Sequence, residues 1–155
     1  MAVNLTPVAG QVVEVSATAP ATFDVTGYNA LTYTEVGGFD TIASFGDAYE
    51  MQTFDSISEG RIPYRGIQDG GGGEMSMADD PADAGQILLK AAFDAAKGST
   101  AEKISVRIRD ESDNYIAMQC LVGSWSLEFG GANDIKRRMT ELRSIPGTIV
   151  EGADS

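Results

Sequence analysis

The chain has 155 residues, 43% of them hydrophobic, with 23 acidic side chains against 11 basic ones and a net charge of −12. That length suits one domain around one core, no run of eighteen apolar residues offers a membrane-spanning helix, and the opening MAVNLTPVAG lacks the basic and apolar regions of a cleaved secretory signal. The acid excess excludes a surface built to hold phosphates of nucleic acid or lipid, the lack of histidine removes the commonest general base and metal ligand, and a single cysteine excludes an internal disulfide.

The charge is uneven along the chain. Residues 1–89 hold 13 acidic and 2 basic side chains, whereas residues 90–155 hold 10 and 9. Residues 1–10 are small and polar, with Pro7 and Gly10, and read as a flexible arm. From Gln11 to Thr18, Val13, Val15 and Ala17 alternate with Val12, Glu14 and Ser16, the pattern of a half-buried strand. Leu31 to Val36 alternates in the same way before Gly37-Gly38, and Phe39 to Phe45 reads as a second short strand. Tyr49 to Phe54 is a further strand.

The stretch from Asp55 to Gly73 holds Gly60, Pro63, Gly66 and the run Gly70 to Gly73, and so reads as a long loop; it carries the only two cations of the first half, Arg61 and Arg65. Glu74 to Ala78 follows as a short strand with Met75 and Met77 on one side. The segment Asp79 to Gly98 has the start, body and stop of a helix over 80–97. Asp80 suits the N-cap, Pro81 the first turn and Gly98 the position past the end, while Asp83 adds negative charge near the positive end of the dipole. Ile87, Leu88, Ala91, Ala92, Ala95 and Ala96 make one apolar face.

Lys103 to Arg109 is the cleanest alternation, with Ile104, Val106 and Ile108 on one face. A turn at Asp110 to Asn114 returns the chain through Tyr115 to Val122, and Trp125, Leu127 and Phe129 continue the meander. Ile135 to Ile145 fits a helical stripe about as well as a strand and is taken as strand. Residues 146–155 read as a turn-rich tail in which Ile149 and Val150 could start a last strand.

Signals for chemistry are weak. Cys120 sits in the apolar strand YIAMQCLV and reads as a core residue. The run Gly70 to Gly73 lacks the Lys-Ser or Lys-Thr of a phosphate loop, and Asp79, Asp80 and Asp83 lack the spacing of a calcium loop, so capping explains them better. The residues alone point to an acidic structural or binding protein with many strands and one helix.

The segment GIQDGGGGEMSMADDPADAGQILLKAA resembles the part of siphophage tail tube proteins in which a glycine-bearing loop runs into a strand, an Asp-rich cap and a Gly-Gln-x-x-Leu helix. Gly66, Gly73, Asp80, Asp83, Gly85, Gln86 and Leu89 carry the likeness. YTEVGGFDTIASFGDAYE upstream and the WSLEF strand downstream are similar to the same family, over roughly Leu31 to Val150. The resemblance implies an α+β, predominantly β fold in a single domain. In it, β-sandwich or barrel-forming sheets are flanked by one α-helix, with a long inter-ring loop at 55–73 and extended terminal arms.

It also implies hexameric rings stacked into a tube in the virion tail, assembled in the host bacterial cytoplasm and conducting double-stranded DNA without specific binding. Implied partners are further copies of the chain and the tail-tip or initiator, tape measure and tail terminator proteins, with no membrane binding, no cofactor and no enzymatic activity. On this reading Glu35, Glu50, Asp55 and Glu128 are candidate lumen acids, and Arg61, Tyr64 and Arg65 are candidate inter-ring contacts. Rival readings are a monomeric β-sandwich binding module and the tube of a related contractile or secretion injection machine.

Overall fold

The computed structural model describes residues 5–153, of which the first strand, β1, spans Val12–Ser16. A short helix, α1 (Val25–Asn29), leads through β2 (Thr34–Val36) and β3 (Phe39–Thr41) to two long strands, β4 (Phe45–Ser56) and β5 (Gly60–Ala78). The main helix, α2 (Ala84–Asp94), precedes a single 3-10 turn and the meander β6 (Lys103–Arg109), β7 (Asn114–Glu128) and β8 (Arg137–Ser144), and β9 (Val150–Ala153) closes the chain. The strands form one antiparallel sheet in the order β2-β1-β6-β7-β8-β5-β3, with β4 on β5 and β9 on β7, so the fold is α+β and predominantly β.

Side-chain alternation decides which face is the core. Val15 lies opposite Val106, Val106 opposite Met118, and Ile104 opposite Cys120, so one face of β1, β6 and β7 is continuous apolar surface. Leu142 of β8 and Met75 and Met77 of β5 extend it, and Leu89 and Ala92 of α2 cover it. The core is therefore a sheet face closed by one helix. The opposite face of β1 and β6 carries Glu14, Ser16, Ser105 and Arg107, and is covered near α1 by Tyr28 and Tyr33; the Tyr28 hydroxyl donates to the Thr148 carbonyl at 2.6 Å.

Several expectations are corrected. The segment Asp55 to Gly73 is not a loop: Gly60 to Ala78 is one strand, and Ile57 to Glu59 alone turn the hairpin. The residues that look like breakers mark irregularities within the strand. Gly66 lies in a register shift opposite Glu50, and Gly71 and Gly72, with φ of 78° and 119°, make the elbow where β5 leaves β4 for β8. The helix is also shorter than 80–97. It begins at Ala84 because Asp83, not Asp80, is the N-cap, its carboxylate accepting the Gln86 N–H at 3.0 Å, and it stops at Asp94 because Ala95 is extended.

Its buried stripe is Gly85, Gln86, Leu89 and Ala92, which leaves Ile87 half exposed. Polar Gln86 is buried because its side chain accepts from the Asp80 N–H and donates to the Ala78 carbonyl, tying the helix to the end of β5. Tyr115 to Val122 and the WSLEF segment are one strand with an irregularity between Val122 and Ser124. Residues 5–10 are exposed and lie in no helix or strand, and residues 1–4 lie outside the described residues. The tail is anchored through β9 and the buried Thr148, and 154–155 lie outside the described residues.

Candidate assembly surface

The β4–β5 hairpin leaves several apolar side chains uncovered. Among the described residues it is, beyond the elbow, a two-stranded ribbon with no third strand and no helix on either face, and Met51, Phe54, Ile57, Tyr64 and Ile67 are all exposed. Among the described residues the outer edge of β4 is unpaired over its whole length, a row of open N–H and C=O groups.

Register separates the two faces of the ribbon. Gln52 lies opposite Tyr64 and Phe54 opposite Ile62, so one face is largely apolar. Met51 lies opposite Arg65, Thr53 opposite Pro63 and Asp55 opposite Arg61, so the other carries the charge. Arg61 Nε donates to Asp55 Oδ1 at 2.9 Å, and the Arg65 guanidinium stands 4.7 Å from the centre of the Tyr49 ring. Both candidate inter-ring cations therefore have partners inside their own hairpin, and Tyr64 stands exposed on the apolar face.

The four candidate lumen acids do not come together. Glu50 and Asp55 differ by an odd number of residues along β4, so they point to opposite faces of it. Glu35 lies on β2 at the far edge of the sheet, opposite Glu14, and Glu128 ends β7 opposite Arg137. Register gathers a different set. On the side of β5, β8 and β7 facing away from α2, Glu74 lies directly opposite Glu141, with Glu128 and Asp40 on the same side. Arg143 Nε donates to Glu141 at 2.8 Å and Arg137 Nε approaches Asp40 at 3.1 Å, which offsets part of that charge. The sequence gives no sign of Glu74 and Glu141 as a pair, because only the strand register joins them.

The helix motif has structural work. Asp83 caps α2 and also accepts from the Gly37 N–H at 3.4 Å; Asp80 accepts from the Ala82 N–H at 3.0 Å. Gly85 lets the helix meet β2, since a Cβ there would come within 2.6 Å of the Glu35 carbonyl oxygen. Leu89 is fully buried beneath the helix. Cys120 is buried in the core, where loss of water pushes its thiol well above the ordinary range and away from the reactive thiolate. No group of three His, Cys, Asp or Glu among the described residues is placed to hold a metal ion.

No protein-family model matches the chain. No curated protein matches it by sequence. Solved structures do match its fold. A chain of the extended-state sheath/tube terminator of an extracellular contractile injection system, PVC, superposes with a TM-score of 0.69 at 12% identity, covering 99% of this chain and 100% of that one. A chain of the six-fold symmetrised baseplate of the anti-feeding prophage gives 0.67 at 11% identity over 99% and 98%. A chain of the tail of an empty GTA particle, refined with C6 symmetry, gives 0.65 at 11% identity over 96% and 100%.

The chain thus has, over nearly its whole length, a fold found in components of injection machines and phage-like tails. The likeness is to that broader group and is not restricted to siphophage tubes.

Proposed function

We propose that this chain is a tube subunit that assembles through its β4–β5 hairpin into six-membered rings, which stack into the tail tube of a phage-like particle. The observation that carries the reading is the hairpin: a 12-residue β4 with an unpaired outer edge and exposed Met51 and Phe54. A soluble monomer normally blunts such an edge, and closing strands into a ring removes it. The six-fold symmetry of two of the similar assemblies supports the ring size.

In the ring, the side of β5, β8 and β7 turned away from α2 faces the lumen, with Glu74, Glu141 and Glu128 as its acids. A lumen of that sign repels the phosphates of passing double-stranded DNA and so lets it slide. Glu50 lies on the apolar face of β4 and Asp55 on the charged one, so at most one of them shares the lumen; Glu35 lies outside it. Tail-tip, tape measure and terminator proteins remain the expected partners at the ends and inside the tube.

Negative-stain electron microscopy of the concentrated protein, with its elution volume on a sizing column, tests the reading. Hollow tubes or six-membered rings are the expected result. A strictly monomeric species that stays monomeric when tail-tip components are added would overturn it.

A further inference from the structure

Where β5 passes from one neighbour to the other, its backbone steps out of both ladders. Pairing with β4 ends at Gly71, opposite Phe45, and pairing with β8 begins at Gly72, opposite Arg143. Gly70 is buried at this point, so its carbonyl needs a partner from outside the ladders. Ser144 supplies it. This buried last residue of β8 is held opposite Cys120 of β7, and its hydroxyl donates to the Gly70 carbonyl and lies 3.2 Å from that of Gly71.

A run of four glycines reads as a hinge, yet this one is packed on both sides. A Cβ on Gly70 would come within 2.7 Å of the Ser144 carbonyl oxygen, and one on Gly72 would overlap that of Leu142, so β8 passes too close for any side chain. The other side is fastened as well. The Gly72 N–H donates to the Ser44 carbonyl at 2.8 Å, and the Gly71 N–H to Asp69 Oδ1 at 3.0 Å. Ile42, Ala43 and Phe45, which lead the chain into β4, pack against the core. Both strands of the ribbon are therefore rooted in the body at one level.

We infer that Ser144 is a latch that presets the angle of the ribbon in the free subunit, so that the open β4 edge is already aimed when a second copy arrives. Beyond the elbow, among the described residues, β5 pairs with β4 alone, and such a ribbon cannot hold a direction by itself. A ribbon free to swing would lose that freedom at every association, and the loss weakens each contact made. A latched ribbon loses it once, when the subunit folds. Ser144 acts through the elbow and is a positioning residue. The inference rests on the tube reading and adds to it how the free subunit is prepared for assembly.

Spin labels at Thr53→Cys in β4 and Ala91→Cys on the exposed side of α2 read the angle as a distance in the dilute, unassembled protein. The native Cys120 is fully buried and stays unlabelled. The expected distribution is one narrow peak, which Ser144→Ala broadens about twofold or more by releasing the ribbon from the body. Asp69→Ala changes an exposed residue, so it should fold in any case, and it broadens the peak less. Thr140→Val removes another buried hydroxyl of β8, one that donates to the Ser124 carbonyl at 3.0 Å; it should lower the urea midpoint and leave the width unchanged. The concentration needed for rings or tubes should rise about tenfold with Ser144→Ala and stay constant with Thr140→Val. A broad distribution in the unaltered subunit, or an unchanged narrow peak in both Ser144→Ala and Asp69→Ala, would overturn the latch. A broadened ribbon that assembles at the original concentration would overturn its part in assembly. Distances that behave as expected in a chain that never forms rings or tubes would keep the latch and defeat the tube reading instead.

Discussion

The two halves of β5 share one backbone and differ in what covers them. From Gly72 onward the strand lies between β8 and β3, and Met75 and Met77 are completely buried in the core that α2 closes. Before the elbow, among the described residues, the same strand pairs with β4 alone, and most of its side chains meet water. Pairing alone does not make a stable unit, since a lone two-stranded ribbon is marginal in water. Stability resides in the body, and the ribbon is held out from it with its edge and its apolar side chains available to a neighbour.

Two ion pairs, one in each region, give the largest expected contrast. Glu14 accepts from Arg107 at 3.1 Å and Arg109 at 3.2 Å, with side-chain exposures of 11%, 6% and 28%, and Arg107 also stacks on Tyr33 at 4.1 Å. Asp55 and Arg61 pair at 2.9 Å but are 72% and 71% exposed. Glu14→Ala takes from two largely buried guanidinium groups the carboxylate they share, so it should cost about 3–5 kcal/mol. The exposed pair is screened by water, and Asp55→Ala should cost about 0–1 kcal/mol. Urea unfolding of both variants measures the difference. Costs that agree within about 1 kcal/mol would show that the ribbon is as much a part of the stable body as β1 and β6.

The same division explains what could be read from the residues. Lys103 to Arg109 was legible with its true bounds because its two faces differ in polarity, with Ile104 and Val106 on the apolar core face and Ser105 and Arg107 on the other, and that difference writes a period of two into the sequence. Met75 and Met77 were legible for the same reason. The ribbon was legible only in part. Tyr49 to Phe54 reads as strand and lies within β4, but in the first part of β5 Gly60, Gly66 and Gly70 to Gly73 look like a loop although they mark a turn, a bulge and an elbow. The phase of the helix was hidden too. Gln86 is buried because three backbone groups around it need partners, and Ile87 is left outside, which hydrophobicity alone would reverse. The grouping of acids depends on register, which set Glu74 against Glu141 and split Glu50 from Asp55.

Two glycines sharpen the boundary between ribbon and body. Gly60 at the hairpin turn and Gly72 at the elbow both have positive φ, 79° and 119°. A Cβ on Gly60 meets nothing within 4 Å, whereas one on Gly72 would overlap the Leu142 carbonyl oxygen and lie 3.0 Å from the Arg143 Cα. Gly60→Ala should cost only the left-handed backbone penalty, about 1–2 kcal/mol. Gly72→Ala adds displacement of β8 backbone and should cost about 2–4 kcal/mol. Thermal unfolding of the pair reads the gap. Equal losses would mean that the elbow is loose and does not fix how the ribbon leaves the body.

The smallest effect concerns the start of α2, where two aspartates compete for one role. Asp80 looks like the cap because Pro81 follows it, yet its carboxylate accepts from the Ala82 N–H, ahead of the helix. Asp83 accepts from the Gln86 N–H inside the first turn and also reaches Gly37 beside β2, so it both ends the helix ladder and ties it to the sheet edge. Asp83→Ala should therefore cost about 1–2 kcal/mol, the usual loss of an N-cap, and Asp80→Ala about half a kcal/mol or less. Denaturant midpoints compared with the Glu14→Ala variant settle the order. If Asp80→Ala proves the more damaging of the two, the helix starts one turn earlier in solution.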